Sequence, residues 1–135
     1  MSKPDCIFCK IINGEIPSIK VWEDEKHLAI LDVNPINPGH TLVLLKKHED
    51  YIFDLEDREY QGLMLVVKKI AKIIKSKLKP KRVGLAVEGF LIPHVHVHLV
   101  PINHGNELNP ERARLSSKEE LERIAMEIKG WQRFT

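Results

Sequence analysis

His94-Val95-His96-Val97-His98-Leu99-Val100, bracketed by Pro93 and Pro101, alternates three histidines with apolar residues. A period of two, with β-branched Val95 and Val97, reads as a β-strand. On a strand, residues i, i+2 and i+4 share one face. The three imidazoles are thus expected in a row, about 7 Å apart at roughly 3.3 Å of rise per residue. Val95, Val97 and Leu99 would face a core on the other side. A helix would fan the rings apart and prevent joint action. Imidazole titrates near neutrality, so a row of such groups suits proton and phosphate chemistry.

Working outward, the chain has 135 residues, enough for one domain with a real core. It is 43% hydrophobic and 30% charged, ordinary for a soluble globular protein. A formal net charge of +2 does not argue for a nucleic-acid partner. Lysines concentrate between Lys68 and Lys81, beside Arg82, where they read as the solvated face of a helix. No apolar run approaches the ~18 residues a bilayer span needs, so no membrane role is expected. The two cysteines, Cys6 and Cys9, follow no signal-peptide pattern. The expectation is a soluble, cytoplasmic protein.

Cys6 to Ile12 reads as a short helical turn stopped by Asn13-Gly14. Ile19–Trp22, Leu28–Leu31 and His40–Leu45 read as strands, the last two joined as a hairpin by the turn-rich Asn34–Gly39. Asp54, with Asp57 after it, resembles a helix start. From there Tyr60, Leu63, Met64, Val67, Ile70, Ala71, Ile74 and Leu78 keep a helical period up to Pro80. Val83–Val87 is a fourth strand and the histidine row a fifth. Ser116 or Ser117, with Glu119 or Glu120, caps a last helix that ends at Gly130. With no βαβ alternation, the class is α+β with an antiparallel sheet.

Three readings of the row compete. It is a half-exposed strand that merely carries histidines, a metal site, or a nucleophile with helpers. His-x-His pairs can ligate one zinc, but His98 could join His94 only with strand distortion, their Cα atoms being about 13 Å apart. As a nucleophile, an imidazole nitrogen attacks phosphorus well, and water hydrolyses the product. Flanking rings can donate to phosphate oxygens or to a leaving group. Cys6-x-x-Cys9 is half of a tetrahedral zinc site, a redox pair, or two unrelated thiols. Zinc would need two nitrogen ligands, which His48 and one end of the row could supply. His27 and His104 are expected at the surface.

Four stretches resemble the histidine-triad (HIT) superfamily of nucleotide hydrolases and transferases. They are Cys6–Pro17, Leu31–Pro35, Pro38–Leu44 followed by Lys46-Lys47-His48, and His94–Val100 with Pro101. They run in the family's order between about Asp5 and Pro101 of a single domain spanning 1–135, whose residues 102–135 form a C-terminal extension with a helix. The resemblance implies a HIT-like α+β fold, with a five-stranded antiparallel sheet, one long central helix and a C-terminal helix. It also implies a homodimer and a purine nucleotide substrate. By position His96 would be the nucleophile, His40 would orient its ring, and His98 would sit near the phosphate and the leaving group. Asp32 would hold ribose hydroxyls. Phe8, Ile16, Ile30 and Leu31 would line the base pocket. Zinc-containing members imply a structural Zn2+ on Cys6, Cys9, His48 and His94.

One segment departs from the family. Members often carry Gly-Gln-Ser/Thr just before the triad, and here the chain reads Gly89-Phe90-Leu91-Ile92-Pro93. Two neutral donors to phosphate are missing. The expected activity is hydrolysis or transfer at the α-phosphate of a nucleoside phosphoramidate or a dinucleoside polyphosphate. The alternative is a non-catalytic nucleotide-binding or sensor module on the same fold.

Overall fold

The computed structural model describes residues 3–130, so the expected domain limits at residues 1 and 135 lie outside the described residues. Five strands form one antiparallel sheet in the order β1-β2-β3-β5-β4. They are β1 (Lys20–Glu23), β2 (His27–Leu31), β3 (Thr41–Leu45), β4 (Arg82–Ala86) and β5 (His96–Ile102). The helices are α1 (Ile7–Ile12), α2 (Asp57–Leu78) and α3 (Lys118–Lys129). This is the α+β class that the sequence implies. No helix among the described residues is long and apolar enough to cross a membrane.

Register sorts the side chains onto two faces. Ile30 pairs with Leu42, Leu42 with His98, and His98 with Ala86. Leu28, Leu44 and His96 line up beside them on the same face, where Phe8 and Ile11 of α1 cover the leucine and isoleucine side chains. The opposite face carries Ala29, Val43, Val97 and Leu99. There α2 contributes Leu63, Val67, Ile70 and Ile74, and α3 contributes Leu121, Ile124, Ala125 and Ile128. The apolar half of the alternating run therefore faces the larger core, and His96 and His98 face the small α1 side.

The strand does not begin at His94. It starts at His96 and runs on through Pro101 to Ile102. Upstream, Val95 donates to the Glu49 carbonyl at 2.7 Å and accepts from Leu45 N–H at 3.3 Å. His94 N–H turns back to the Ile92 carbonyl at 2.8 Å. The bonds to Glu49 and Ile92 take the chain out of the ladder, and the expected even row of three becomes two strand histidines plus one in a turn. Pro101 is tolerated because β3 ends opposite Leu99, so the missing N–H faces no partner strand.

Helix ends also differ in detail. Ile52–Asp54 form a separate 3-10 turn, and α2 starts at Asp57. Glu56 and Glu59 make the capping box there, not Asp54 and Asp57. Lys79, left-handed at φ 56°, closes the helix before Pro80. Of the alternatives at α3, Ser117 caps it by accepting from Glu120 N–H. Gly39 has φ +94°, and a Cβ there would strike Leu78 and Pro101, so glycine is required where the hairpin loop crosses the end of α2.

Candidate functional site

A cleft of about 1070 Å³ opens on the α1 face of the sheet, with His96 and His98 on its floor. Phe8, Ile30, Leu31 and Asp32 line it as well. Ile16 does not; it is partly buried against the apolar cluster that includes Phe8 and Ile30. His40 lies beneath the floor, buried. The far end is closed by the C-terminal segment around Leu108 and Leu115. Ser116 N–H and Arg114 N–H tie that segment to the Val33 and Pro35 carbonyls at 3.0 and 3.2 Å. Sequence reasoning missed this wall, because its anchors are backbone groups without a motif.

The hydrogen bonds fix which nitrogen of each ring carries a proton. His96 Nδ1 lies 2.6 Å from the His94 carbonyl. A carbonyl only accepts, so Nδ1 holds the proton and Nε2 keeps a bare lone pair. Phe8 packs edge-on at 4.8 Å between ring centroids and holds the imidazole in place. Burial lowers the pKa of His96, against the His94 carbonyl and Asp32, which raise it. A neutral ring with a free nitrogen is the form a nucleophile needs.

His40 and His98 form a second chain. Ile36 N–H donates to His40 Nδ1 at 3.0 Å. In the neutral ring the proton is then on Nε2, which lies 2.9 Å from His98 Nδ1 and donates to it. His98 keeps its own proton on Nε2. Burial, then the neighbouring His96 and His40, push its pKa down to about 4, so the ring is neutral near pH 7 and offers an N–H donor. The hydrogen bond of His40 thus goes to the His98 ring, where the sequence expectation set it beside His96. Asp32 accepts from Asn34 N–H through Oδ1 at 2.9 Å, and its Oδ2 lies 3.6 Å from His40 Nε2.

At the other end of the row, Cys6, Cys9, His48 and His94 converge, each offering one donor atom within 4.8 Å of the others. The Cys6 thiol sits at the N-cap of α1 and accepts from Cys9 N–H, which places both sulfurs on one side of the turn. His94 Nδ1 lies 3.3 Å from Cys6 Sγ, 3.6 Å from Cys9 Sγ and 3.1 Å from His48 Nδ1. Cys9 Sγ lies 3.4 Å from His48 Nδ1. Tetrahedral zinc, from its usual bond lengths, needs edges of about 3.3 Å between nitrogens and about 3.5 Å between nitrogen and sulfur. His94 Nε2–H donates to the Leu45 carbonyl at 2.6 Å, leaving the Nδ1 lone pair inside the cluster. The donor set fits a metal ion.

Asp32, His40 and His98 are equally close. There the tautomers forbid a metal, because His40 Nδ1 is already an acceptor and Nε2 must keep its proton. Outside both clusters, His27 is buried and bonded to Asp24 at 3.0 Å, correcting its expected surface position. Asp24, three residues upstream, was the available signal. His104 is exposed, as expected.

Comparison with known proteins identifies the family. Residues 13–105 match the HIT domain family. An uncharacterized HIT-like protein of Methanocaldococcus jannaschii is 40% identical over 130 residues, 93% of this chain and 99% of that one. Adenosine 5'-monophosphoramidase of Candida albicans is 36% identical over 112 residues, 74% of this chain and 72% of that one. A zinc-bound histidine triad family protein from Mycobacterium smegmatis superposes with a TM-score of 0.79 at 29% identity, covering 93% of this chain and 91% of that one. The chain belongs to the HIT domain family.

Proposed function

We propose that the protein hydrolyses a bond at the α-phosphate of a purine nucleoside phosphoramidate or a dinucleoside polyphosphate through a nucleotidyl-histidine. The observation that carries this is the bare Nε2 of His96 on the cleft floor, enforced by the 2.6 Å bond from Nδ1 to the His94 carbonyl. Phe8, Ile30 and Leu31 flank the base, with Ile16 as backing. Asp32 Oδ2 accepts from ribose hydroxyls. His96 Nε2 attacks phosphorus while the bond to the leaving atom breaks. His98 Nε2–H stabilises the charge that builds on phosphate oxygens and on the leaving atom. Water supplies the proton of the leaving group, and the hydroxide so formed attacks phosphorus and breaks the P–Nε2 bond.

A zinc ion held by Cys6, Cys9, His48 and His94 belongs to the same reading, and in it the metal is structural. Four protein ligands leave no open position for substrate. The ion would clamp α1, and with it Phe8, to the turn that carries the His94 carbonyl. A cytoplasmic homodimer completes the picture. Support for the dimer is the free outer edge of β4 and the exposed Leu85 and Leu65.

The test is intact mass spectrometry after brief incubation with adenosine 5'-phosphoramidate and an alkaline quench. An adenylyl adduct is expected on the wild type and not on His96→Ala. Nucleotide binding with neither adduct nor released AMP would refute the hydrolase and leave a binding module. Light scattering that gives the mass of one chain would remove the dimer.

A further inference from the structure

Glu107, in the segment after β5, is a hydrogen-bond hub outside both clusters. Its Oε1 accepts from Asn103 N–H at 2.5 Å and from His104 N–H at 2.7 Å. Its Oε2 accepts from Asn37 Nδ2 at 3.3 Å and from Arg112 Nη2 at 3.2 Å. Asn37 Nδ2 also donates to the Pro101 carbonyl at 2.8 Å, and Asn37 Oδ1 accepts from Arg112 Nη2 at 2.8 Å. Both amide hydrogens and the oxygen of this half-buried side chain are thus engaged. The two backbone donors, then Asn37 and Arg112, hold the Glu107 carboxyl below its usual range, so it accepts at both oxygens near neutral pH.

Asn37 is also the middle of the turn that sets His40. Its carbonyl accepts from His40 N–H at 3.1 Å, and the Ile36 N–H just before it donates to His40 Nδ1 at 3.0 Å. Pro101 lies three residues beyond His98 on β5, so the Asn37 amide ties this turn to the strand that carries His98. The tie holds the Ile36 N–H where it meets the ring, and that bond decides where His40 keeps its proton. Without it, the neutral His40 ring is free to carry the proton on Nδ1, opposed by the Asp32 carboxylate 3.6 Å from Nε2. His40 Nε2 would then accept, His98 would donate from Nδ1, and His98 Nε2 would be left with a bare lone pair. Each ring exchanges one proton between its own two nitrogens through water, and neither changes charge.

We infer that Glu107 and Asn37 are positioning residues that fix the tautomer of His98, and so decide whether the cleft floor offers phosphate an N–H donor or a lone pair. A lone pair there would repel phosphate oxygens instead of stabilising them. For its effect on turnover the inference rests on the nucleotidyl-histidine reading above. The tautomer itself is read without substrate, so either can fail alone.

Long-range proton–nitrogen correlation NMR on histidine-labelled protein, purified with its metal and held at pH 7, reads the tautomer of each ring. In the wild type, His40 and His98 should each be protonated on Nε2, and His96 on Nδ1. In Asn37→Ala and in Glu107→Gln, the tautomer ratio at His98 should move toward the Nδ1 form by about tenfold, the weight of one net hydrogen bond. Glu107→Gln keeps an oxygen for the Asn103 and His104 N–H groups but sets an NH2 against the donors of Asn37 and Arg112. It therefore leaves the local turn in place and removes the grip on Asn37. His96 is the internal control, because its Nδ1 bond goes to the His94 carbonyl and its tautomer should not move. A His98 ring that keeps its wild-type tautomer in either variant overturns the inference. So does an equal change at His96, the mark of a loosened fold, or an Nδ1 proton on His98 in the wild type. Should the tautomers respond as expected in a protein that forms no nucleotidyl adduct, the positioning stands and the hydrolase reading falls.

Discussion

Two groups of close donors lie at the two ends of one short run, and they are built for opposite purposes. Cys6, Cys9, His48 and His94 converge on a point that a cation can occupy. Asp32, His40 and His98 converge as closely and hold a proton instead. Composition and distance do not separate them; one backbone group in each does. The Leu45 carbonyl accepts from His94 Nε2–H and so turns the Nδ1 lone pair inward. The Ile36 N–H occupies Nδ1 of His40 and keeps a proton inward. His96, between the two, takes its tautomer from the carbonyl of His94. The Cys6–Cys9–His48–His94 cluster therefore reaches the His96 ring through main chain, since whatever fixes His94 fixes the acceptor that orients it.

The largest effect expected from this division is at His96. His96→Ala should cost about 10⁴-fold or more in kcat, because among the described residues the only other histidine lining the cleft, His98, has its Nδ1 engaged by His40. Its zinc content should be unchanged, since the His94 carbonyl is a backbone group. A variant that kept a tenth of the activity would make the ring a bystander. At the other side of the row, His98→Ala removes a neutral donor and should cost about 10²–10³-fold. His98→Asn restores an N–H and should recover part of that loss. If alanine and asparagine behaved alike, His98 would not act as a donor.

Cys9→Ser probes the opposite end. It should empty the metal site and lower stability by about 3–4 kcal/mol, the effect of losing a ligand present at 100 to 1,000 times its Kd. Metal analysis and thermal unfolding read this directly. About one zinc per chain is expected in the wild type, and His40→Gln should retain it. Two equivalents, with one lost in His40→Gln, would erase the distinction between the clusters.

The division was only partly legible in the sequence. Alternation at Val95–Leu99 announced a strand, and the apolar spacing from Tyr60 to Leu78 announced the long helix, because burial writes a period into side chains. Resemblance named both sets of histidines. The exit of His94 from the strand was not readable, being made by bonds from Val95 to Glu49 and from His94 to Ile92, which no pattern announces. Tautomers were equally hidden, since a carbonyl or an N–H looks the same at every position of a sequence. The bond from His40 to His98 was out of reach for this reason. Phe90 and Leu91 were visible as a departure, but only the structure shows them exposed along the cleft.

The smallest expected effect is on stability in acid, and it follows from the proton-holding end. His98 has its pKa at about 4 in the folded chain, first because of burial and then because of His96 and His40. In the unfolded chain it titrates at about 6.5. Between these values the unfolded state binds the extra proton, so stability rises with pH across that window. His98 favours unfolding progressively as pH falls from about 6.5 to about 4, by about 1–2 kcal/mol once partial exposure is allowed for. The comparison to make is wild type against His98→Asn by urea unfolding at pH 7 and pH 4.5. Other histidines and zinc release act on both proteins and cancel in the difference. His98→Asn should lose less stability on acidification than the wild type. An equal loss in both would mean that His98 is not held neutral by its surroundings, and the proton chain from Ile36 through His40 would then lack its end.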